Sequence, residues 1–191
     1  MRIISGKLKG RLIEPPCNLR ARPTTDFAKE NIFNVLANMV DFEGLEVLDL
    51  FAGTGSISYE FASRGAAGVT SVEINSIHHD FIRRTAAALG LANVHAIKAN
   101  VFLYLKNCRK KFDLIFSDAP YDLHGNEDVV ELIFSYGLLA PEGYLVFEHS
   151  READFSTHPH FLERRNYGSV QFSIFGTELP GADTGSRTDA G

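Results

Sequence analysis

The chain alternates short apolar runs, rich in β-branched residues, with longer stretches in which apolar residues recur every three or four positions. Runs of the first kind predict buried strands, and stretches of the second kind predict amphipathic helices. We expect strands near residues 46–51, 67–74, 94–99, 112–117, 143–149, 161–167 and 170–176. We expect helices near residues 55–64, 76–89, 101–108 and 127–138.

This alternation indicates the fold class. Strands that are joined through helices form parallel sheets, with right-handed crossovers and helices on both faces. The last two strands meet at Tyr167-Gly168, which predicts a hairpin and therefore an antiparallel edge strand. The sequence thus predicts a Rossmann-like α/β fold with a mainly parallel, seven-stranded sheet.

The residues that precede this core follow a different pattern. Gly6 and Gly10 interrupt alternating Ile and Leu residues, which predicts two short strands joined as a hairpin. A helix should follow, because Thr24 or Thr25 can cap its amino terminus and Asp26 suits the dipole of its first turn. The buried face of this helix is predicted to contain Ile32, Phe33, Val35, Leu36 and Met39.

Length and composition are those of a single domain. The chain has 191 residues, of which 45% are hydrophobic, enough for a full core. Within residues 1–177 we expect a hairpin and helix extension over 1–40 and an α/β core over 45–177. Residues 178–191 lack apolar periodicity and are predicted to be disordered.

Several classes of protein are disfavoured by the same composition. The apolar runs are far too short to span a membrane, and the amino terminus lacks a signal-peptide pattern. Cys17 and Cys108 show no metal or redox spacing, which is typical of a reduced cytoplasmic protein. The paired histidines have no Cys or acidic partner at ligand spacing, so we expect no metal site. We expect a monomer.

Charge is distributed unevenly along the chain. The net charge is −5, but residues 1–22 carry six basic residues against the single acid Glu14. A basic arm on an acidic body is typical of a local phosphate contact, whereas a solvated hairpin is the simpler alternative. The residues predicted to bind RNA are Arg2, Lys7, Lys9, Arg11, Arg20 and Arg22.

A glycine-rich loop follows the first predicted strand. Asp49 ends that strand, and Gly53 and Gly55 let the backbone turn tightly before the next helix, whose free N–H groups point toward a ligand. A dinucleotide fingerprint would need a third glycine where Ser58 stands, and no phosphate-loop motif is present. The alternatives are a cofactor loop without that fingerprint or a glycine turn without a ligand.

Polar residues also follow the second and third strands. Glu73 lies one strand-helix-strand unit after Asp49, where a carboxylate can accept both ribose hydroxyls of an adenosine. Asn100 could hold the adenine edge while Val101 packs on its face. The alternative for Glu73 is an ordinary exposed side chain.

The loop after the fourth strand can hold a planar amine. Asp118 offers a carboxylate to one N–H, and the carbonyl of Ala119 offers a second acceptor. Pro120 restricts Ala119 to extended conformations, and Tyr121 offers a ring for stacking a base. An ordinary turn is the alternative. Taken together, the two loops suggest methyl transfer from S-adenosylmethionine to the exocyclic nitrogen of a base, by positioning and electrostatics alone.

These motifs resemble a known group of enzymes. DLFAGTGS from Asp49, the acid Glu73 and DAPY from Asp118 are similar to the motifs of amino-directed methyltransferases with a D/N-P-P-Y/F signature. RIISGKLKGR, RPTTD, FNVL and YGSVQFSIF, at residues 2–11, 22–26, 33–36 and 167–175, resemble the bacterial 16S ribosomal RNA guanine-N2 methyltransferases of the RsmD type.

The resemblance implies a class I methyltransferase fold, S-adenosylmethionine as cofactor, and methylation of a guanine N2 in 16S ribosomal RNA, within a small subunit or its precursor. It also implies that the cofactor is bound by Asp49, Phe51, Gly53, Thr54, Gly55, Glu73, Ile74, Asn100 and Val101.

One position departs from the family pattern. Ala119 stands where the family usually has a first proline, which keeps the carbonyl but loosens the loop. The open alternatives are an adenine-N6 methyltransferase of DNA or RNA, a protein-glutamine methyltransferase, a non-catalytic RNA-binding assembly factor and a small-molecule oxidoreductase.

Overall fold

A computed structural model describes residues 1–16, 19, 25–120, 123, 125 and 127–177. The strands are β1 Glu46–Leu50, β2 Gly68–Glu73, β3 Val94–Lys98, β4 Phe112–Asp118, β5 Leu139–His149, β6 Phe161–Tyr167 and β7 Val170–Gly176. The helices are α1 Asp26–Leu36, α2 Ser56–Ser63, α3 Ser76–Ala88, α4 Val101–Asn107 and α5 Asp128–Ser135. Cys17, Thr24 and the tail predicted to be disordered, 178–191, lie outside the described residues.

The strands form one sheet in the order β3-β2-β1-β4-β5-β7-β6. The first five of these strands run parallel, and β7 pairs antiparallel with both β5 and β6. The predicted α/β class, seven strands and antiparallel edge pairing are therefore confirmed. The hairpin places β7 between β5 and β6, so β6 is the edge strand and runs in the same direction as β5.

The predicted element bounds agree closely with the structure except around α5 and β5. The helix ends at Ser135, because Gly137 follows with φ of 59°. The strand begins at Leu139, four residues earlier than predicted, and its pairing with β4 shifts register. Pro141-Glu142-Gly143 resembles a turn in the sequence, but the structure accommodates it within the strand, with Glu142 in the left-handed region at φ of 59°.

Two hydrophobic clusters cover the two faces of the sheet. One contains buried side chains of α1, α2 and α3, such as Phe33, Phe61 and Ile82. The other contains those of α4 and α5, such as Leu105 and Ile133. No helix in the described ranges is long and apolar enough to cross a membrane.

The hairpin predicted at the amino terminus is smaller in the structure than two strands. An antiparallel bridge joins Arg2 and Leu12, and a 3-10 turn occupies Gly6–Leu8. This N-terminal arm, residues 1–13, lies against α2. Gly6 has φ of 78°, and a Cβ there would lie 1.9 Å from the Ser63 carbonyl oxygen, so only glycine permits this approach.

Glu60 of α2 fixes the arm in place. Its carboxylate accepts backbone N–H bonds from Ile4 at 2.8 Å and from Ser5 at 3.0 Å. Arg64 donates to the same carboxylate at 2.8 Å, and the Lys29 ammonium lies 3.8 Å away. The side chains of Glu60 and Lys29 are 0% and 1% exposed, so this is a fully buried ion pair.

Lys29 connects α1 to the same cluster. Its ammonium donates to the Arg2 carbonyl at 2.6 Å and to the Ser56 hydroxyl at 3.1 Å. Burial lowers the pKa of Lys29, and the negative charge of Glu60 opposes that shift. Because Ser56 begins α2, the cluster links the arm, α1 and the start of α2 in one set of contacts.

Helix α1 begins as the sequence predicts. The Thr25 hydroxyl accepts the Ala28 N–H at 3.1 Å and caps the helix. The structure buries Ile32, Phe33 and Leu36, and it leaves Val35 and Met39 partly buried.

Replacing Glu60 with alanine should destabilise the fold by about 3–5 kcal/mol, because the variant leaves the Lys29 ammonium buried without its carboxylate. Urea unfolding monitored by circular dichroism measures the effect. Glu30→Ala, at an exposed position of α1, is the matched control and should change the free energy of unfolding by less than about 0.5 kcal/mol. Equal stability of the two variants would contradict the anchoring role of Glu60.

Candidate active site

The polar residues singled out from the sequence meet at one edge of the sheet. Asp49 lies near the end of β1, Glu73 ends β2, Asn100 follows β3 and Asp118 ends β4. These strands are parallel neighbours, so their carboxyl ends share an edge, where ligands bind in open α/β sheets. Burial raises the pKa of Asp49, and the negative charges of Asp118 and Glu73 at the same edge add to the shift.

Asp49 is fully buried beneath the loop. It accepts a hydrogen bond from the Ser58 hydroxyl at 2.5 Å, and Ser58 lies 2.6 Å from the Ser71 hydroxyl. Burial raises the pKa of Asp49 to about 7, the Ser58 hydrogen bond opposes this, and the charge of Asp118 adds to it. Sequence reasoning missed this role of Ser58, although its position in place of a third glycine was the available signal.

The backbone of the loop is strongly constrained. Phe51 has φ of 58°, an uncommon value for a bulky residue and one that clusters at functional sites. Gly53 and Gly55 also lie in the left-handed region, at φ of 55° and 83°. A Cβ on Gly55 would lie 2.7 Å from the Tyr59 ring, so both conformation and space require glycine there. The loop therefore presents backbone, rather than side chains, to a ligand.

Thr54 connects this loop to the N-terminal arm. The threonine is buried, and its hydroxyl lies 4.0 Å from the Met1 sulfur. The first residue of the arm is held in turn, because its amino group donates to the Ile13 carbonyl at 3.0 Å. The arm thus covers part of the loop that precedes α2.

Glu73 holds the loop from the side of β2. Its carboxylate accepts the Gly53 N–H at 2.8 Å and the Asn75 N–H at 2.7 Å. Each carboxylate oxygen has two acceptor sites, so these bonds leave capacity for ribose hydroxyls. The next residue, Ile74, is 59% exposed, which places a large apolar surface beside the carboxylate. A nucleoside can use both, because its ribose hydroxyls bind a carboxylate and its base packs on an apolar surface.

Asn100 and Val101, which follow β3, differ in their contacts and burial. The Asn100 side chain accepts the Leu103 N–H at 3.2 Å and caps α4, so its amide nitrogen is the group that can meet an adenine. Val101 is buried in the core and offers little surface to a ligand. Phe102 lies next to it, and its ring centroid is 6.5 Å from that of Phe51. Adenine contacts by Asn100 and Val101 stay predictions.

The loop predicted to hold a planar amine, here called the amine loop, spans residues 118–121 and begins where β4 ends. Asp118 is partly buried, Ala119 is buried and Pro120 is exposed, whereas Tyr121 lies outside the described residues. Glu148 of β5 is aligned with Asp118 and is also buried, so a second carboxylate stands at this point of the edge. Sequence reasoning missed Glu148, because only the register between β4 and β5 brings it to Asp118.

Four of the six basic residues predicted to bind RNA lie in the N-terminal arm, which packs along α2. Arg2, Lys7, Lys9 and Arg11 are all exposed, and Arg20 and Arg22 lie outside the described residues. The 3-10 turn that carries Lys7 is held at the far end of α2, where the Leu8 N–H donates to the Ser63 hydroxyl at 2.9 Å. Because α2 leads away from the glycine-rich loop for about 12 Å, Lys7 and Lys9 lie apart from the edge of the sheet where the carboxyl ends of the strands meet, called the catalytic edge below.

The fold is the class I fold of S-adenosylmethionine-dependent methyltransferases. It is defined by the order of the strands, the antiparallel seventh strand, the glycine-rich loop after β1 and the acidic residue at the end of β2. The family model described as "Conserved hypothetical protein 95" matches residues 1–176. The chain belongs to this family.

Individual relatives agree with this assignment. The chain is 30% identical over 184 residues to "Ribosomal RNA small subunit methyltransferase D" of Escherichia coli K12, covering 95% of this chain and 92% of that protein. It is 28% identical over 181 residues to the protein of the same name from Haemophilus influenzae, covering 92% and 93%. The solved structure "Putative methyltransferase yhhF from Escherichia coli" superposes with a TM-score of 0.81 at 28% identity, covering 94% and 98%.

The buried Asp49 should make stability depend on pH. Its pKa is about 7 in the fold against an ordinary value of 3.8 for an exposed Asp, so between these pH values the folded state holds a proton that the unfolded state has lost. The free energy of unfolding therefore falls as pH rises through this range, by about 3 kcal/mol between pH 5 and pH 8. Urea unfolding at both pH values should show that Asp49→Asn lacks this loss.

Asp41→Asn, at an exposed position, serves as control and should keep the pH dependence of the wild type. An unchanged pH dependence in Asp49→Asn would mean that Asp49 is already ionised in the fold at pH 5.

Proposed function

We propose that this protein transfers the methyl group of S-adenosylmethionine to the exocyclic N2 of a guanine in 16S ribosomal RNA. The observation that carries the proposal is the position of Asp118-Ala119-Pro120 beside Asp49 and Glu73 at one edge of the sheet. Support comes also from the curated relatives in the same family, whose name is ribosomal RNA small subunit methyltransferase D.

The residues of the first half of the sheet fit the cofactor. Glu73 suits the ribose hydroxyls, Ile74 suits the face of the adenine, and Asn100 suits its edge. The loop backbone around Gly53 permits the close approach of the methionine end, and an ionised Asp49 below it would favour the positive charge there. The cofactor supplies an electrophilic methyl group on a sulfonium.

Asp118 and Ala119 would hold the guanine amine. The lone pair of this nitrogen is delocalised into the ring, so the amine is a weak nucleophile. Two acceptors, the Asp118 carboxylate and the Ala119 carbonyl, can each take one N–H and draw the nitrogen toward tetrahedral geometry. Pro120 restricts the conformation of Ala119 and so aims that carbonyl. Catalysis then comes from positioning and from charge near the developing cation.

The setting of the reaction follows from the charge distribution. The acidic body and single basic arm favour a substrate in which bound proteins add contacts, namely a small ribosomal subunit or its assembly intermediate, in the cytoplasm. Labelled S-adenosylmethionine should therefore mark a guanine N2 in unmodified small subunits more strongly than in free 16S RNA, and it should leave DNA unlabelled. Label on an adenine N6, or no label with intact cofactor binding, would overturn the proposal.

Asp118→Ala should lower kcat on small subunits by about 100-fold or more, because one of two acceptors for the amine is lost. The dissociation constant for the cofactor, measured by calorimetry, should change by less than about twofold, since Asp118 lies on the substrate side of the loop. Asp118→Asn keeps a carbonyl acceptor and is the matched control, with an intermediate kcat. Full activity in Asp118→Ala would exclude the assigned role.

Ala119→Pro should leave kcat unchanged or raise it. A second proline stiffens the loop and retains the carbonyl that accepts the amine N–H. Steady-state rates on small subunits measure the effect, with Pro120→Ala as the opposite change, which should lower kcat. A large loss of activity in Ala119→Pro would show that the buried alanine serves some other purpose, such as packing.

A further inference from the structure

Two aromatic side chains lie together at the catalytic edge, outside the site described above. Phe27, in the first turn of α1, is 63% exposed. Its ring centroid lies 6.4 Å from that of Tyr167, with the two planes at 86°. Phe27 is exposed and Tyr167 is half-buried, so this edge-to-face pair leaves aromatic ring surface open to a partner.

The sheet topology fixes where the pair lies. Tyr167 ends β6, which runs in the same direction as β4 and β5, so it stands at the same edge as the amine loop. The register places Tyr167 two residues beyond Arg165, which is level with Glu148 and Asp118 through β7. Three strand spacings separate β4 from β6, or roughly 14 Å.

Basic side chains flank the aromatic pair. The Arg2 guanidinium lies 4.0 Å from Asp26, the residue before Phe27. On the other side, the exposed Arg151 donates to the Gly168 carbonyl at 2.7 Å, directly after Tyr167. Aromatic rings for stacking, bordered by guanidinium groups for phosphates, are the combination by which proteins hold unpaired nucleotides.

We propose that Phe27 and Tyr167 stack on an unpaired base of the ribosomal RNA that flanks the target guanine, with Arg2 and Arg151 contacting its phosphates. The inference rests on the proposed function and extends it to a second RNA contact. At roughly 14 Å from the amine loop, the base belongs to a nucleotide near the target and not to the target itself. This surface lies at the same edge of the sheet as the amine loop, whereas Lys7 and Lys9 lie at the far end of α2.

The test compares alanine variants in RNA binding and in methylation. Phe27→Ala and Tyr167→Ala should each weaken binding of 16S RNA, free and in small subunits, by about 10-fold, with a matching rise in KM. The kcat at saturating RNA and the cofactor dissociation constant should change by less than about twofold. Phe27→Trp, which keeps a stacking ring, should restore binding.

Controls come from the opposite edge of the sheet. Tyr136, an exposed aromatic just after α5, is the control for the exposed Phe27. Arg109, which donates to backbone carbonyls before β4, is the control for Arg151, which donates to the Gly168 carbonyl. Tyr136→Ala should bind RNA as the wild type does. Arg151→Ala should lower the slope of log affinity against log salt by about 0.7, whereas Arg109→Ala should not.

The outcomes separate this inference from the proposed function. Wild-type methylation of guanine N2 with unaltered RNA binding in Phe27→Ala and Tyr167→Ala would overturn the stacking surface alone. Weakened binding to small subunits but not to free RNA would assign the surface to a ribosomal protein and would also overturn it. Weakened RNA binding without any methyl transfer by the wild type would sustain the surface and refute the proposed reaction.

Discussion

The buried carboxylate of Glu60 is the contact on which the arrangement of the amino-terminal half depends. It accepts hydrogen bonds from Ile4 and Ser5 of the arm and pairs with Lys29 of α1, which in turn reaches Ser56 at the start of α2. Desolvating two charges is costly, and the compensating bonds exist only when arm, α1 and α2 are all in place. The arm, α1 and α2 therefore depend on one another for stability.

The sheet imposes the second constraint, since it brings acids together at its carboxyl edge. Asp49, Glu73, Asp118 and Glu148 come from four neighbouring strands. Burial raises the pKa of Asp49 to about 7, and the like charges of Asp118 and Glu73 add to this shift. An edge of this kind favours a ligand with positive charge on the side of β1 and a hydrogen-bond donor on the side of β4.

Periodicity in the sequence was sufficient to predict the fold, because the strands of the parallel core are short, mainly apolar segments that alternate with helical patterns. The loop motifs likewise predicted Asp49, Glu73 and Asp118 at one edge. Contacts between segments that are distant in the sequence could not be predicted from it. Lys29 looks like an ordinary exposed helix residue in the sequence, and only the structure shows that it pairs with Glu60 in the core. Glu148 lies beside Asp118 because of the pairing register between β4 and β5, which the sequence does not reveal. Pro141-Glu142-Gly143 has the composition of a turn but lies within β5.

The contact between the arm and α2 also limits how RNA binding can be dissected. A helix of eight residues is not stable alone in water, so α2 depends on what packs against it, and the arm supplies Gly6, Ile4 and Ser5. A truncation of residues 1–13 would remove the four basic side chains of the arm and, at the same time, loosen α2, the helix that follows the glycine-rich loop. Loss of activity in such a truncation reports two effects at once, which single substitutions at exposed side chains keep separate.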